Sequence, residues 1–474
     1  MAWYDGSGMV ATPPSAFNYG VSYALDLPQE DAGGPSGDLG HLLTHRDAEW
    51  LSMEPYWRKM AHVRGGTALM QGLCLGDVAG NSQSQYLPKM ARETPAEWKA
   101  RVRTSVLLDF VVRAVEAFSS KPFAEPTKVT LPSYLSYLMD DIDGMGTSFE
   151  QWSKTLFQEI FYNGLVHVIP IPDREGGGGE RPRLKTIEAP YMFETIYDPD
   201  ARGWEYVRFA ETRKRSTKEL QGVRKSYTET TIWSVSPTGA QRWGKTGDNG
   251  KRWERLGDEV MWSPSLEGRL PLSTAYSIQR ANGLASSSFW SVVDLMIKHF
   301  RALSEHEFLL RQLRQPVALL WDSDIETGAS AQAAQDNGII LLKSTDLASG
   351  QGKMDSFNVD PAAVAASHTD IETMIEEMAN RTVSILLRHP TGQETATAAA
   401  IDSAEETSEL SSAVTNIERM LEWALFLAAR MVNPSVAPGE ISVQFDRSFD
   451  YAEPPDLKKE VKEIMDDSRE AASP

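Results

Sequence analysis

Side chains able to do chemistry are plentiful in this chain, but few are spaced so that they could act together. Asp141, Asp143, Gly144 and Glu150 fall on positions 3, 5, 6 and 12 of a calcium loop of the EF-hand kind. Position 1 is Met139, whose thioether does not ligate a hard cation, so the stretch reads better as a capped turn before a helix opening at Phe149. His299 and His306 form the one suggestive pair among eight dispersed histidines. They lie two helical turns apart with no carboxylate between them at ligand spacing, so no metal is expected. Gly176 to Gly179 could be imagined as a phosphate cradle, yet no GK[ST] follows and Glu175 and Glu180 flank it with charge that repels phosphate. It reads as a linker. No G-x-S-x-G elbow and no Cys/His arrangement appears, and Cys74 is the sole cysteine. The expectation is a chain that is not an enzyme, with no catalytic residue, metal or cofactor.

Charge offers a different kind of site. The 474 residues carry a net charge of −19, which argues against a surface that grips phosphates throughout, because such binding needs Lys and Arg to displace counterions. Against that background, Arg213, Lys214, Arg215 and Arg224 belong to a basic run that continues through Lys225, Arg242, Lys245, Lys251, Arg252 and Arg255. A solvated β surface would account for it. The preferred reading is a face that meets acidic surface on a neighbouring subunit, ahead of direct contact with DNA. No stretch reaches about 18 uninterrupted apolar residues and the N-terminus lacks a basic region followed by an apolar run, so a cytoplasmic chain that does not enter a membrane is expected.

These residues must be positioned by elements of several kinds. Residues 1–40, rich in Gly, Pro, Ser and Asp, read as an arm that orders only against a partner. Thr94-Pro95-Ala96-Glu97 is a helix start, and Val102, Val106, Phe110, Val111, Ala114 and Phe118 predict one helix over 95–119. A helix from Phe149 to Tyr162 runs into Gly164 and a strand-like stretch ending at Pro170. From Arg183 to about Trp262, short β-rich runs between turns predict a small antiparallel subdomain. Phe289, Val292, Val293, Met296, Phe300, Leu303, Leu310 and Leu313 predict a long helix within 286–315, of roughly 35 to 40 Å, ended near Pro316. Val317–Trp321 and Gly338–Leu342 read as strands in a mixed segment. Helices are then predicted over 368–388 and 398–432, separated by a break that Pro390 and Gly392 enforce. No internal repeat is found. The fold class is α+β.

The run Gln393-Glu394-Thr395-Ala396-Thr397, placed after His389-Pro390-Thr391-Gly392 and opening the helix through Asn416-Ile417-Glu418, resembles a motif of the portal proteins of tailed bacteriophages. Other features occur in the order expected of one poorly characterised portal subfamily: Tyr86-Leu87-Pro88 before a helix with Arg101, Arg103 and Arg113, then Asp143-Gly144-Met145-Gly146, Gly164 and Arg181-Pro182. The helix at 95–119 is more apolar, and the Gly tract longer, than the family pattern. The resemblance implies an N-terminal arm and start of the wing over 1–85 and a wing with a β-rich subdomain over 86–280. A stem helix over 281–316, a clip over 317–360 and a returning stem helix over 361–388 would follow. A tunnel loop over 389–397, a long wing helix over 398–432 and a reduced crown over 433–474 would complete the chain.

The same resemblance implies a function: roughly twelve copies close into a ring by head-to-tail contacts at one capsid vertex of the virion, after assembly in the host cytoplasm. The implied partners are the terminase large subunit, the major capsid protein and a tail adaptor protein, with double-stranded DNA passing through the channel without sequence specificity. His389, Pro390, Thr391, Gly392, Gln393, Glu394 and Thr395 would face that DNA, and the polar character of this loop suits sliding contact. The alternative is another structural or assembly protein of the virion, shell-like or scaffold-like.

Overall fold

The computed structural model describes residues 39–76, 86–90, 93–173, 181–198, 203–218, 224–246, 252–257, 260–262, 266, 269–279, 283–314, 317–321, 339–342, 353–357, 360–386, 409–447, 462–463 and 466. The architecture is mixed α and β. Three helices open it: α1 (Leu39–Thr44), α2 (Ala48–Arg64) and α3 (Gly66–Gly76). Trp50, Met53, Trp57, Met60 and Val63 make a buried stripe along α2, while Pro55 sits inside the helix on its exposed side.

The next helix, α4 (Pro95–Thr104), starts with the capping box read from the sequence. Thr94 Oγ1 accepts from the Glu97 amide at 3.2 Å, and the Glu97 carboxylate accepts from the Thr94 amide at 2.8 Å. The helix predicted to continue to 119 instead breaks at Ser105 and resumes as α5 (Phe110–Ser120). Helix α3 explains the break by offering other partners to the backbone. Thr67 Oγ1 accepts from the Leu107 amide at 3.0 Å, and the Gln71 side chain donates to the carbonyls of Arg103 and Ser105 at 3.1 and 2.8 Å. Ser105 takes an extended backbone with its hydroxyl 2.8 Å from Ser304 Oγ.

After β1 (Lys128–Thr130) comes α6 (Phe149–Asn163), capped by Ser148. It ends on Gly164 at φ 86°, where a Cβ would lie 2.8 Å from the backbone of Ser286, so both conformation and space demand glycine. The chain then enters β2 (Leu165–Asp173) and β3 (Arg181–Glu188). A second sheet follows: β4 (Met192–Asp198), β5 (Gly203–Lys218), β6 (Arg224–Val235), β7 (Gly239–Thr246) and β8 (Arg252–Arg255) are neighbours in sequence order, with β9 (Val260–Met261) also on β7. All its pairings are antiparallel, as expected for the β-rich subdomain, but that subdomain begins at Met192. The earlier start at Arg183 is corrected, because β3 pairs with β2 instead.

β10 (Ser273–Tyr276) joins the other edge of β2, and β11 (Ile278–Gln279) pairs with β12 (Ala285–Ser286). Then come the long α7 (Trp290–Arg314), the strands β13 (Val317–Trp321), β14 (Ile339–Leu342) and β15 (Lys353–Phe357), α8 (Pro361–Leu386), α9 (Glu409–Val432) and β16 (Ser442–Gln444), which pairs with β1. α8 begins seven residues earlier than the predicted 368. Asp360 caps it by accepting from the Ala362 amide at 2.9 Å, Pro361 suits the first turn, and the alanines that follow are strong helix formers.

The main core lies between the sheet β10–β2–β3 and the helices around it. Leu165 to Pro170 are all buried, so β2 is covered on both faces. α9 contacts all three strands, with Ser273 donating to the Met420 carbonyl and Asn416 to the Tyr276 carbonyl. Of the amphipathic register read from the sequence, Leu410, Val414, Ile417, Leu421, Leu425 and Ala428 are buried along it, whereas Val432, at its last residue, is exposed. None of the described helices is long and apolar enough to cross a membrane.

Candidate functional site

Two features carry the sequences singled out above: a helical hairpin and a two-stranded β-ribbon. The hairpin is α7 and α8 running antiparallel. Arg381 donates to the Ser291 carbonyl at 3.3 Å near one end, and near the other His306 Nδ1 lies 3.2 Å from Ser367 Oγ, with the His306 and His368 rings 5.8 Å apart. The base of the hairpin is sealed by Val292, Val293, Met296 and Phe300 on α7 and Ile371, Met374, Ile375, Met378 and Thr382 on α8, all buried. Its distal half is not sealed. From Pro361 to Asp370 every residue of α8 except Val364 and Ser367 is exposed, and Phe308, Leu309 and Leu310 of α7 are only half-buried. At the distal end lies a three-stranded sheet in the order β14–β13–β15, with β14 parallel and β15 antiparallel to β13.

The base is bolted to the body by polar contacts that spacing in the sequence did not announce. Arg101 grips Glu93 with two donors at 2.7 and 2.9 Å, and donates also to Ser304 Oγ of α7 at 3.0 Å and to the Pro88 carbonyl at 2.8 Å. Both ionic partners are buried. Arg301 donates to the Tyr86 carbonyl at 2.8 Å, Lys59 meets Asp294 at 2.7 Å, and Trp290 stacks on Tyr56. Glu93 and Arg101 stand eight residues apart across a helix start. No local pattern marks them.

The histidines singled out in the sequence are separated by this geometry. His306 turns to Ser367 and His368 across the hairpin, and burial together with the neighbouring His368 lowers its pKa. His299 is buried at the base. Among the described residues no three His, Cys, Asp or Glu side chains are grouped to hold a metal. Asp141 and Asp143 spend their carboxylates on their own loop, accepting from the amides of Gly146 at 2.9 Å and Met145 at 2.8 Å, which is the capped turn read from the sequence.

Two groups, the buried His167 and the half-buried Glu188, are strongly perturbed. Burial lowers the His167 pKa to about 3; its Nδ1 lies 2.7 Å from Thr274 Oγ1, and its Nε2 is buried without a hydrogen-bond partner among the described residues. Burial and the nearby Glu159 carboxylate hold Glu188 well above the ordinary carboxylate range, with Arg64 opposing them. Arg64 itself pairs with Glu159 at 2.8 Å, and Glu159 accepts also from Asn163 at 2.6 Å.

The basic patch lies on the second feature. Arg213, Lys214 and Arg215 are on β5 and Arg224 is on β6. β4 pairs with β5 only from Gly203 to Phe209, and β7 pairs with β6 only from Thr231 to Val235. From Thr212↔Thr230 to Lys218↔Arg224 the two strands pair with each other and, among the described residues, with nothing else. At about 3.4 Å per residue this two-stranded ribbon is roughly 20 Å long. The loop from His389 to Thr395 lies outside the described residues, as do the Gly176–Gly179 tract and the N-terminal arm up to Asp38.

A sequence family described as a domain of unknown function (DUF4055) matches residues 289–432, which spans the hairpin and α9. No curated protein matches the chain. Among solved structures, a chain from the neck of an empty GTA particle computed with C6 symmetry is 12% identical, with 74% of this chain and 83% of that one covered at a TM-score of 0.35. A chain from the virion of a native gene transfer agent (GTA) particle is 13% identical, with 85% and 94% covered at 0.34. A third, from the neck of a native GTA particle computed with C12 symmetry, is 14% identical, with 82% and 92% covered at 0.35. Likenesses at TM-scores this low carry no argument, so function has to be reasoned from the chain's own elements.

Proposed function

We propose that this chain is a portal subunit of a tailed phage or phage-like particle: a ring at one capsid vertex through which DNA is packaged and ejected. The observation that carries the reading is the hairpin. Its base is buried in the body, its distal half stands clear with half-covered Phe308, Leu309 and Leu310, and a small sheet lies at its end. Apolar residues left half-covered on a projecting stalk are stabilised when equivalent stalks pack side by side. Side-by-side packing of a two-faced stalk joins unlike surfaces and closes into a ring when the rotation per copy divides a full turn. The order of parts, with α7, the sheet, α8, residues 387–408 and then α9, is that of stem, clip, returning stem, tunnel loop and wing helix in the family that the sequence resembles.

In this reading roughly twelve copies form the ring, and the end of the hairpin with its sheet meets the terminase large subunit and later the tail adaptor protein. The body meets the major capsid protein, and the loop from His389 to Thr395 comes nearest the DNA. The chain does no chemistry itself and holds no cofactor; the ATPase it docks supplies the work. The outward side of α8 carries Asp370, Glu372, Glu376 and Glu377, all exposed, and carboxylates on a channel wall would repel phosphates and keep DNA from sticking.

Negative-stain imaging and native mass measurement of the purified chain test the proposal. Rings of about ten or more subunits with an axial opening are expected. Closed shells without a channel would transfer the chain to the shell-like or scaffold-like class, and a monomer under every salt and concentration condition would refute ring formation altogether.

A further inference from the structure

We infer that a groove at the C-terminal end of α9 is the seat of a segment of the same chain, residues 449–457, which follows the last strand. The groove has a volume of about 320 Å³. It is lined by the half-buried Trp423 and the buried Phe426, whose rings are 5.3 Å apart, and by the exposed Pro434 and Pro438. Two cations border it: Arg269, which is exposed, and Arg430, whose guanidinium lies 5.7 Å from the centre of the Phe426 ring. Among the described residues, no acidic side chain lines it.

Aromatic rings beside prolines, with positive charge at the edge, suit an extended chain that is proline-bearing and acidic. Proline-rich segments dock in aromatic-lined grooves because their extended helix is already formed and little entropy is lost. Residues 449–457 read Phe-Asp-Tyr-Ala-Glu-Pro-Pro-Asp-Leu. Asp450, Glu453 and Asp456 surround Pro454 and Pro455, no base interrupts them, and Phe449 and Tyr451 add two rings.

The place where the chain leaves the body puts this segment within reach. From β16 onward the chain runs back along α9: the Val443 amide donates to the Glu422 carboxylate at 3.1 Å, the Phe445 amide to Glu418 at 2.9 Å, and the Arg447 side chain to Thr415 Oγ1 at 3.0 Å. Arg447 therefore stands level with Thr415. Trp423 and Arg430 lie 8 and 15 residues further along the helix, about 12 and 22 Å at 1.5 Å per residue. The ten residues 448–457 extend over as much as about 33 Å, enough to turn back and lie in the groove. Tethering beside the same helix also holds the segment at high local concentration there. The N-terminal arm is the rival occupant, being acidic and aromatic too, but it leads into α1, which packs on β8 of the other sheet.

The test places a photo-cross-linker in the full chain as Tyr451→benzoylphenylalanine, mixes isotopically heavy and light protein, and maps the adducts by mass. Adducts within residues 423–438 that join peptides of one isotope are expected. Arg269→Glu should lower their yield at least about threefold, and Asp450→Lys/Glu453→Lys/Asp456→Lys should lower it further. Adducts confined to other parts of the chain would overturn the inference. Heavy-light adducts in the groove would overturn it in favour of a second copy's segment, and groove adducts obtained from Tyr4→benzoylphenylalanine but not from position 451 would hand the groove to the N-terminal arm. Unchanged yields in both charge variants would reduce the contact to chance collisions of a tethered chain, which also overturns it. None of these outcomes depends on whether the chain forms a ring.

Discussion

Single buried and half-buried side chains give this protein opposing responses to pH. The folded-state pKa of His167 is depressed to about 3, so its contribution to stability is present above the unfolded value of about 6.5 and is lost as pH falls below it. His62, lowered to about 4 by burial and by Arg58, acts in the same direction. Glu188 does the reverse. Its pKa is raised in the fold, so its contribution is present below about 4.5 and is lost as pH rises through its folded value. Denaturant unfolding of His167→Asn should therefore show the wild type losing its advantage over the variant between pH 7 and pH 4. The slope should reach up to about 1.4 kcal/mol per pH unit. The corresponding comparison with Glu188→Gln should show the wild type losing ground between pH 5 and pH 8, by roughly 1–3 kcal/mol in all. Parallel pH curves for either pair would mean that the group titrates as it does in water.

Among elements, the attachment of α7 to the body depends on the grip of Arg101 on Glu93 and Ser304. Arg101→Leu leaves the Glu93 carboxylate buried and unpaired and is expected to cost about 3–5 kcal/mol, whereas adding Glu93→Leu should recover much of that. Hydrogen exchange along α7 near Ser304 should speed up in the single variant and return towards normal in the double one. This element also shows where sequence reading worked. The base of α7, the run of α6 into Gly164 and the register of α9 were legible because each is an amphipathic period or a glycine stop, which are local signals. The single helix over 95–119 was misread because Thr67 and Gln71, some 30 to 40 residues earlier, supply the partners that end it. Helices α2 and α3 went unread although Trp50, Met53, Trp57, Met60 and Val63 carry a helical period; Pro55, in their midst, reads as a helix breaker. The basic residues of the ribbon were visible as composition, but only strand pairing revealed that they lie on two strands paired with each other. The polar bolts at the hairpin base join residues far apart in the chain, and no spacing rule finds them.

At the scale of the whole molecule, fold and assembly should be separable. Phe308 is half-buried on the part of α7 that stands clear of the body, so Phe308→Glu should leave the monomer's thermal midpoint within about 1–2 °C while abolishing rings in light scattering. A large loss of monomer stability would place Phe308 in the body's own core. The topology of the hairpin also fixes a timetable during synthesis. α7 leaves the ribosome first, β13 follows as the central strand before either neighbour exists, and the buried residues of α8 that seal the base arrive last. Phe300 and Ile371 are separated by about 70 residues, which at roughly 5–20 residues per second is on the order of 4–14 s of translation. Through that interval the side of α7 destined for α8 is bare. Nascent chains stalled before Ile371 should therefore carry bound chaperone, chains stalled well past α8 should have released it, and overproduction without added chaperone should favour inclusion bodies over rings.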